Sequence, residues 1–249
     1  MHLLLIRHAQ SANNALAAQG VDAYQSGRQP DPPLTDLGRR QAEALAGWIG
    51  GVDPRPTHLY CSPMRRTLQT ASPVAEALDL PLRVNDLVYE RPGPVEVTEA
   101  GQRPHPGSPR SELAALSDRA VLPDSLTEEG WYDGPIESPA QAVARAARIA
   151  AWLRREHDDG DCVALVAHGA IGALLLETLV APGRAEKLGD YLIGREPWWF
   201  NLANTSTSMV ELTDGGGCEV HWVNRVDHLV CAGMVHGATA NATGNPGTR

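Results

Sequence analysis

Two short apolar runs in this chain end directly in histidine. Leu3-Leu4-Leu5-Ile6 leads into Arg7-His8-Ala9, and Val163-Ala164-Leu165-Val166-Ala167 leads into His168-Gly169. Histidine changes charge near neutral pH, so it can act there as nucleophile, proton carrier or hydrogen-bond donor. One histidine at the end of a buried run usually serves packing. Two of them, each followed by a small residue and one preceded by arginine, point to a shared site. Ligands of open α/β sheets bind just beyond the carboxyl ends of the strands, where both histidines would stand. The arginine suits an anion, and so do the free backbone N–H groups of Gly169 and a helix starting at Ala170. Alternatively, Gly169 only permits a tight turn from strand to helix.

For the two histidines to meet, a sheet has to carry them. The run His2 to Ile6 is too short for a helix and apolar throughout, as suits a strand buried on both faces. Thr35 can cap a helix in which Leu37, Ala44, Leu45 and Trp48 recur at helical spacing, closed by Gly50-Gly51. His58 to Cys61 reads as a strand, Pro63 to Leu78 as a helix and Leu82 to Val84 as a further short strand. Ser138 at the N-cap, Pro139 at N1 and Gln141 at N3 form a capping box, with Ala142, Ala146, Ile149 and Leu153 on one face behind it. Arg154 and Arg155 suit that helix's negative end. Val163 to Ala167 is the second buried strand, and Ala170 to Leu179 is its helix. Ser206 to Leu212 and Cys218 to Val223 read as strands joined through 214–217. Alternation of strand and helix predicts an α/β fold, a three-layer α/β/α sandwich around a mostly parallel central sheet.

Between Arg91 and Pro135 the texture changes. Proline and glycine are frequent, the only helical patch is Glu112 to Ser117, and the segment reads as an irregular, lid-like excursion. Its Trp131-Tyr132 pair either contacts substrate or packs the excursion down. Trp198-Trp199-Phe200 reads as core or interface rather than a substrate platform. No large apolar residue follows Val235, so 1–235 is expected to form the folded domain and 236–249 a disordered tail.

Composition narrows the classes of function. The chain has 249 residues, a net charge of −9, 43% hydrophobic and 5% aromatic content, enough for a core without a disulfide or metal staple. The negative balance argues against nucleic acid as partner, since duplex binding needs a clustered basic face. Cys61, Cys162, Cys218 and Cys231 form no CxxC pair, and the nine histidines show no ligand spacing, so no metal is expected. The N-terminal apolar run stops at Arg7, and Ala170 to Ala181 is too short to span a bilayer, so no membrane association and a cytoplasmic location are expected.

Several segments together resemble a known family, the histidine phosphatases of the phosphoglycerate mutase-like superfamily. Arg7-His8-Ala9-Gln10-Ser11-Ala12-Asn13-Asn14 is similar to the family's opening Arg-His-Gly-x-Thr/Ser-x-x-Asn. Asp31, Leu34-Thr35, Gly38 and Gln41-Ala42 match its second motif, and Ser62-Pro63-Met64-Arg65-Arg66-Thr67-Leu68-Gln69-Thr70-Ala71 matches its Ser-Pro-x-x-Arg-x-x-Gln-Thr-Ala. Glu137-Ser138 and Val166-Ala167-His168-Gly169 complete the order. Ala9 departs from the family glycine, and if that position needs positive φ, alanine would cost about 1–2 kcal/mol.

The resemblance implies a phosphomonoester hydrolase of the histidine acid phosphatase type, free of metal and other cofactors. Its partner would be a small phosphorylated substrate or phosphate ion. His8 would be the nucleophile, forming a phosphohistidine that water hydrolyses. Phosphoryl oxygens need cations and fixed donors around them, and Arg7, Asn14, Arg66, His168 and Gly169 are the candidates. Arg66 is preferred to Arg65 because it occupies the family's arginine position. Glu90 is the expected proton donor to the leaving oxygen, with Asp86, Glu96 and Glu99 as alternatives. Two other functions stay open, a mutase that returns the phosphoryl group to its substrate and an inactive phospho-ligand or protein-binding module. Family mutases usually carry Trp before the motif asparagine and Glu-Arg-His-Tyr-Gly further on. Here those positions hold Asn13 and Glu90-Arg91-Pro92-Gly93.

Overall fold

A computed structural model of the protein describes residues 1–182 and 200–234. The strands are β1 (His2–Arg7), β2 (His58–Cys61), β3 (Leu82–Val84), β4 (Val95–Thr98), β5 (Gly101–Pro104), β6 (Ala120–Val121), β7 (Cys162–Ala167), β8 (Thr207–Leu212) and β9 (Cys218–Arg225). Seven of them form one sheet in the order β6-β3-β2-β7-β1-β8-β9, while β4 and β5 form a separate hairpin. From β6 to β1 all neighbours run parallel, and β8 and β9 are antiparallel. Leu5 of β1 lies opposite Leu165 of β7, so both strands stop at the same edge, one at Arg7 and the other at Ala167.

The apolar runs are continuous because both faces of the sheet are covered. Leu3, Leu5, Val163 and Leu165 point into one core against α6 (Pro139–Glu156) and α7 (Gly169–Val180). Leu4, Ile6, Ala164 and Val166 point into the other against α3 (Asp36–Ile49) and α4 (Arg65–Leu78). The caps are those the sequence announces. Thr35 accepts from the Gly38 N–H, and Ser138 and Gln141 close a reciprocal box. Gly38 also lets α3 approach β1's trailing loop, since a Cβ there would lie 2.1 Å from the Gln10 carbonyl oxygen.

Two expectations need correction. The excursion 91–135 is not irregular. It contains the β4–β5 hairpin, the short helix α5 (Arg110–Ala114), which overlaps the expected patch at Glu112 to Ser117 but starts and ends earlier, and β6, which extends the main sheet by pairing with β3. Helices α1 (Ala12–Gln19), α2 (Val21–Gly27) and α8 (Asp227–Cys231) also appear where the sequence shows no apolar face. The expected tail 236–249 and Trp198-Trp199 lie outside the described residues, while Phe200 packs partly buried against the core. Among the described residues no helix is long and apolar enough to cross a membrane, and all four cysteines are unpaired.

Candidate active site

Register brings His8 and His168 to the same sheet edge, their ring centroids 5.2 Å apart in an edge-on arrangement. Both are buried, at 3% and 0% exposure. His8 Nδ1 lies 2.6 Å from the Ala9 carbonyl oxygen, so this nitrogen carries the proton and donates. Nε2 therefore keeps its lone pair, which accepts from Arg66 Nε at 3.1 Å. Burial first, then the Arg66 and Arg7 guanidiniums, hold the His8 pKa well below the ordinary histidine range. His168 is shifted the same way, by burial and then by Arg66 and His8, and both its ring nitrogens are buried without a hydrogen-bond partner. Two neutral imidazoles thus face one another beside two guanidiniums.

Arg66 reaches this point from the first turn of α4. It is 7% exposed, and Asp31, whose Oδ1 lies 3.9 Å from its Nη1, backs it. Asp31 is itself fixed by the Arg65 backbone N–H (3.0 Å) and by the Ser108 hydroxyl (2.8 Å), so the excursion reaches into the site. Burial raises the Asp31 pKa against the pull of Arg66. Arg65 instead pairs with Glu112 of α5. The two adjacent arginines face different surroundings.

Arg7 Nη1 donates to the Leu202 carbonyl, and its Nε is buried without a partner. Against it stands Glu90. The Glu90 carboxylate accepts from the N–H groups of Ala170 (3.0 Å) and Ile171 (3.1 Å) at the start of α7, and from that of Arg91 (2.9 Å). The helix N-terminus expected to receive an external anion therefore already holds the chain's own carboxylate at two of its donors. A Cβ at Gly169 would lie 3.5 Å from Arg7 Cζ and 3.8 Å from Glu90 Oε2, which locates Gly169 in the same pocket. Asp86, by contrast, accepts from Ser125 on the surface, Glu96 pairs with Arg103 across the hairpin, and Glu99 is exposed.

Glu137 serves the site from behind. It makes a two-pronged ion pair with Arg145 at 2.7 Å in each arm, both side chains almost fully buried. Arg145 also donates to the carbonyls of Leu87 and Tyr89, each at 2.8 Å, and lies over the Tyr89 ring. That clamp sets the path of the chain into Glu90. Trp131 and Tyr132 pack on Tyr89 rather than standing free, and Gly107, at φ +83, leaves room for the indole, since a Cβ there would lie 2.1 Å from Trp131 Nε1.

Residues 3–225 match the model of the histidine phosphatase superfamily (branch 1). The chain belongs to the histidine phosphatase superfamily. A protein of Proteus mirabilis named as a probable phosphoglycerate mutase is 29% identical over 234 residues, covering 86% of this chain and 96% of that one. Among solved structures, a mycobacterial glucosyl-3-phosphoglycerate phosphatase complexed with VO3 has a TM-score of 0.56 at 20% identity, covering 90% of this chain and 99% of that one. A phosphoserine phosphatase mutant from Entamoeba histolytica, in complex with phosphoserine, has a TM-score of 0.56 at 22% identity, with 92% and 98% covered. These two likenesses are of fold.

In this histidine phosphatase superfamily member, Asn14 does more for the loop than its motif position suggests. Its Oδ1 accepts from the Ser11 N–H (3.1 Å), the Ser11 hydroxyl (3.0 Å) and Asn204 Nδ2 (3.2 Å), closing the α1 capping box. Its Nδ2 donates in none of these contacts. Asn204 and Thr205 were missed from sequence. The His8 carbonyl accepts from Asn204 Nδ2 (2.9 Å) and the Thr205 N–H (3.3 Å), which pins the histidine's backbone from the side of β8. Thr205 holds φ +54, strained for a β-branched residue, and nothing in its spacing signals this. Ala9, in contrast, is not among the residues with positive φ, so the feared strain is absent.

Proposed function

We propose that this chain is a phosphomonoester hydrolase that works through a phosphohistidine on His8. One observation carries this reading: His8 is buried and neutral with its proton on Nδ1, so Nε2 offers its lone pair between Arg66 and His168. A phosphate oxygen would draw the Arg66 N–H off Nε2 and free the lone pair for in-line attack on phosphorus. Arg7, Arg66, His168, the Asn14 amide nitrogen and the Gly169 N–H would surround the equatorial oxygens, whose charge they stabilise through the transition state. Glu90 would first take a proton from the entering phosphomonoester monoanion, leaving the dianion, and as the N–P bond forms and the P–O bond breaks it would pass that proton to the leaving oxygen. It would then take one from the water that cleaves the phosphohistidine. The excursion 91–135 would act as a cover, linked to the pocket through Ser108 and Asp31.

The sequence likeness to a probable phosphoglycerate mutase supports a second outcome, return of the phosphoryl group to an acceptor hydroxyl. The test is a panel of phosphomonoesters without added metal, with rapid quench to trap acid-labile phosphoprotein. Net phosphate release with a trapped phosphohistidine is expected, and His8→Ala should fall to background while still unfolding in one cooperative transition. Undiminished hydrolysis by His8→Ala would overturn the nucleophile. Transfer to an acceptor without net phosphate release would favour the mutase.

A further inference from the structure

At the opposite end of the sheet, where the parallel strands begin, three side chains from separate elements converge. His58 opens β2, His157 is the C-cap of α6, and Asp161 ends the turn that leads into β7. One ligand atom from each, two imidazole nitrogens and a carboxylate oxygen, all lie within 4.8 Å of one another. His58 Nδ1 is 3.5 Å from Asp161 Oδ1, and His157 Nδ1 is 3.5 Å from Asp161 Oδ2. These distances are long for N–H···O hydrogen bonds. Each is near the spacing of about 3.3–3.4 Å that separates ligands about 2.0–2.1 Å from zinc, and since they end on the two oxygens of Asp161, a small turn of that carboxylate would present one oxygen to an ion between the rings.

His157 supplies an independent observation. Its side chain is 2% exposed, and both ring nitrogens are buried with no hydrogen-bond partner, a costly state for an imidazole. Tyr60 and Trp152 wall its ring edge-on, at 5.5 and 5.7 Å between centroids, which fixes its orientation. Asp161 and His58 remain 25% and 31% exposed, so the cluster opens to water on one side. Thr57 Oγ1 lies 2.9 Å from His58 Nδ1, but it also lies 3.2 Å from the Cys162 carbonyl and can turn there when the nitrogen is taken.

We propose that His58, His157 and Asp161 bind a divalent ion of the zinc class, with a fourth position left to water. Two imidazoles and one carboxylate are a borderline donor set that suits zinc better than magnesium or calcium. The ion would tie the end of α6 and the turn after it to the start of β2, so binding would stabilise the fold far from the phosphate pocket. The sequence gives little hint of this, because His58 stands about a hundred residues from its two partners. A second trio, His2, Glu211 and His221, has one exposed member and no orphaned buried nitrogen, and it serves as the control.

The experiment strips the full chain with chelator, then titrates it with zinc by calorimetry and with cobalt by visible absorption. One saturable ion, four-coordinate cobalt bands and a raised unfolding temperature are expected. His58→Gln and Asp161→Asn, both at partly exposed positions and checked for folding in chelator, should each weaken binding by about 10²-fold or more. His221→Ala should leave it unchanged. Absence of saturable binding would overturn the proposal, as would binding untouched by both substitutions. Loss of the ion in His221→Ala or His8→Ala instead would put it elsewhere and equally overturn it.

Discussion

Replacing Glu90 by glutamine keeps the side chain's size while removing its charge and one of its two acceptor oxygens. In the native protein those oxygens take the N–H groups of Ala170, Ile171 and Arg91 at 2.9–3.1 Å. A glutamine NH2 would be turned toward at least one of these donors, leaving it unpaired. That costs about 1–3 kcal/mol, comparable to loss of a helix cap. The chemical loss should depend on the leaving group. An alkoxide needs a proton as its P–O bond breaks and should lose about 10²–10⁴-fold in kcat/KM. A nitrophenolate departs nearly unaided and should lose less than about tenfold. The assay compares kcat/KM for alkyl and p-nitrophenyl phosphates in both proteins, alongside urea unfolding to score the cap. Equal losses on the two substrate types would refute the proton-transfer role and leave Glu90 as the clamp that joins α7 to Arg7.

Other outcomes follow from the same geometry. His8 and His168 stay neutral in the fold, while in the unfolded chain each takes a proton near pH 6.5. The unfolded state therefore binds more protons as pH falls, and each histidine should remove about 1.4 kcal/mol of stability per pH unit below that point. Denaturant unfolding between about pH 5 and 7 should show a shallower slope in His168→Gln than in wild type, and identical slopes would contradict the shift. Glu137→Gln leaves Arg145 buried without its charge partner and should cost about 3–5 kcal/mol in chemical denaturation, with activity falling as the Leu87–Tyr89 clamp loosens. A loss under about 1 kcal/mol would show that the pair is dispensable. Ala9→Gly should destabilise by about 0.5–1 kcal/mol, because Ala9 needs no positive φ and its methyl packs with Leu34 and Ala42. A stabilised variant would revive the strain argument.

Strands β1 and β7 are readable because a strand buried on both faces is an uninterrupted apolar run, β2 and β3 as short runs whose burial alternates, and α3 and α6 because caps and an apolar stripe coincide. The hairpin β4–β5 is not, since Gly101–Pro104 is exposed throughout and has no inward face to alternate. Helices α1 and α2 bury no residue, so no periodicity marked them. At the site, the sequence points to His8, His168, Arg66 and Glu90, and the fold brings them together. Their supports were hidden. Arg145 looks like one more charge on a polar helix, and Asn204 like a stray loop amide. Each acquires meaning only from partners many residues away, such as the Leu87 carbonyl for Arg145 and the His8 carbonyl for Asn204.

The strand order has a consequence for how the protein is made. β1 lies between β7 and β8, with His2 opposite Cys162 on one side and Glu211 on the other, and the Met1 amino group donates to the Leu212 carbonyl 211 residues away. The strand that delivers His8 is therefore synthesised long before either neighbour. Its Leu3-Leu4-Leu5-Ile6 run stays unpaired until most of the chain exists. Closing loops of this span is slow, and an unpaired apolar strand is prone to stick to other chains meanwhile. A nascent fragment that ends before β7 can have α3 packed on α4, yet it has no seat for β1. If His8 is the nucleophile proposed above, activity would report completion of the sheet around β1, since the residue made first is among the last to be put in place.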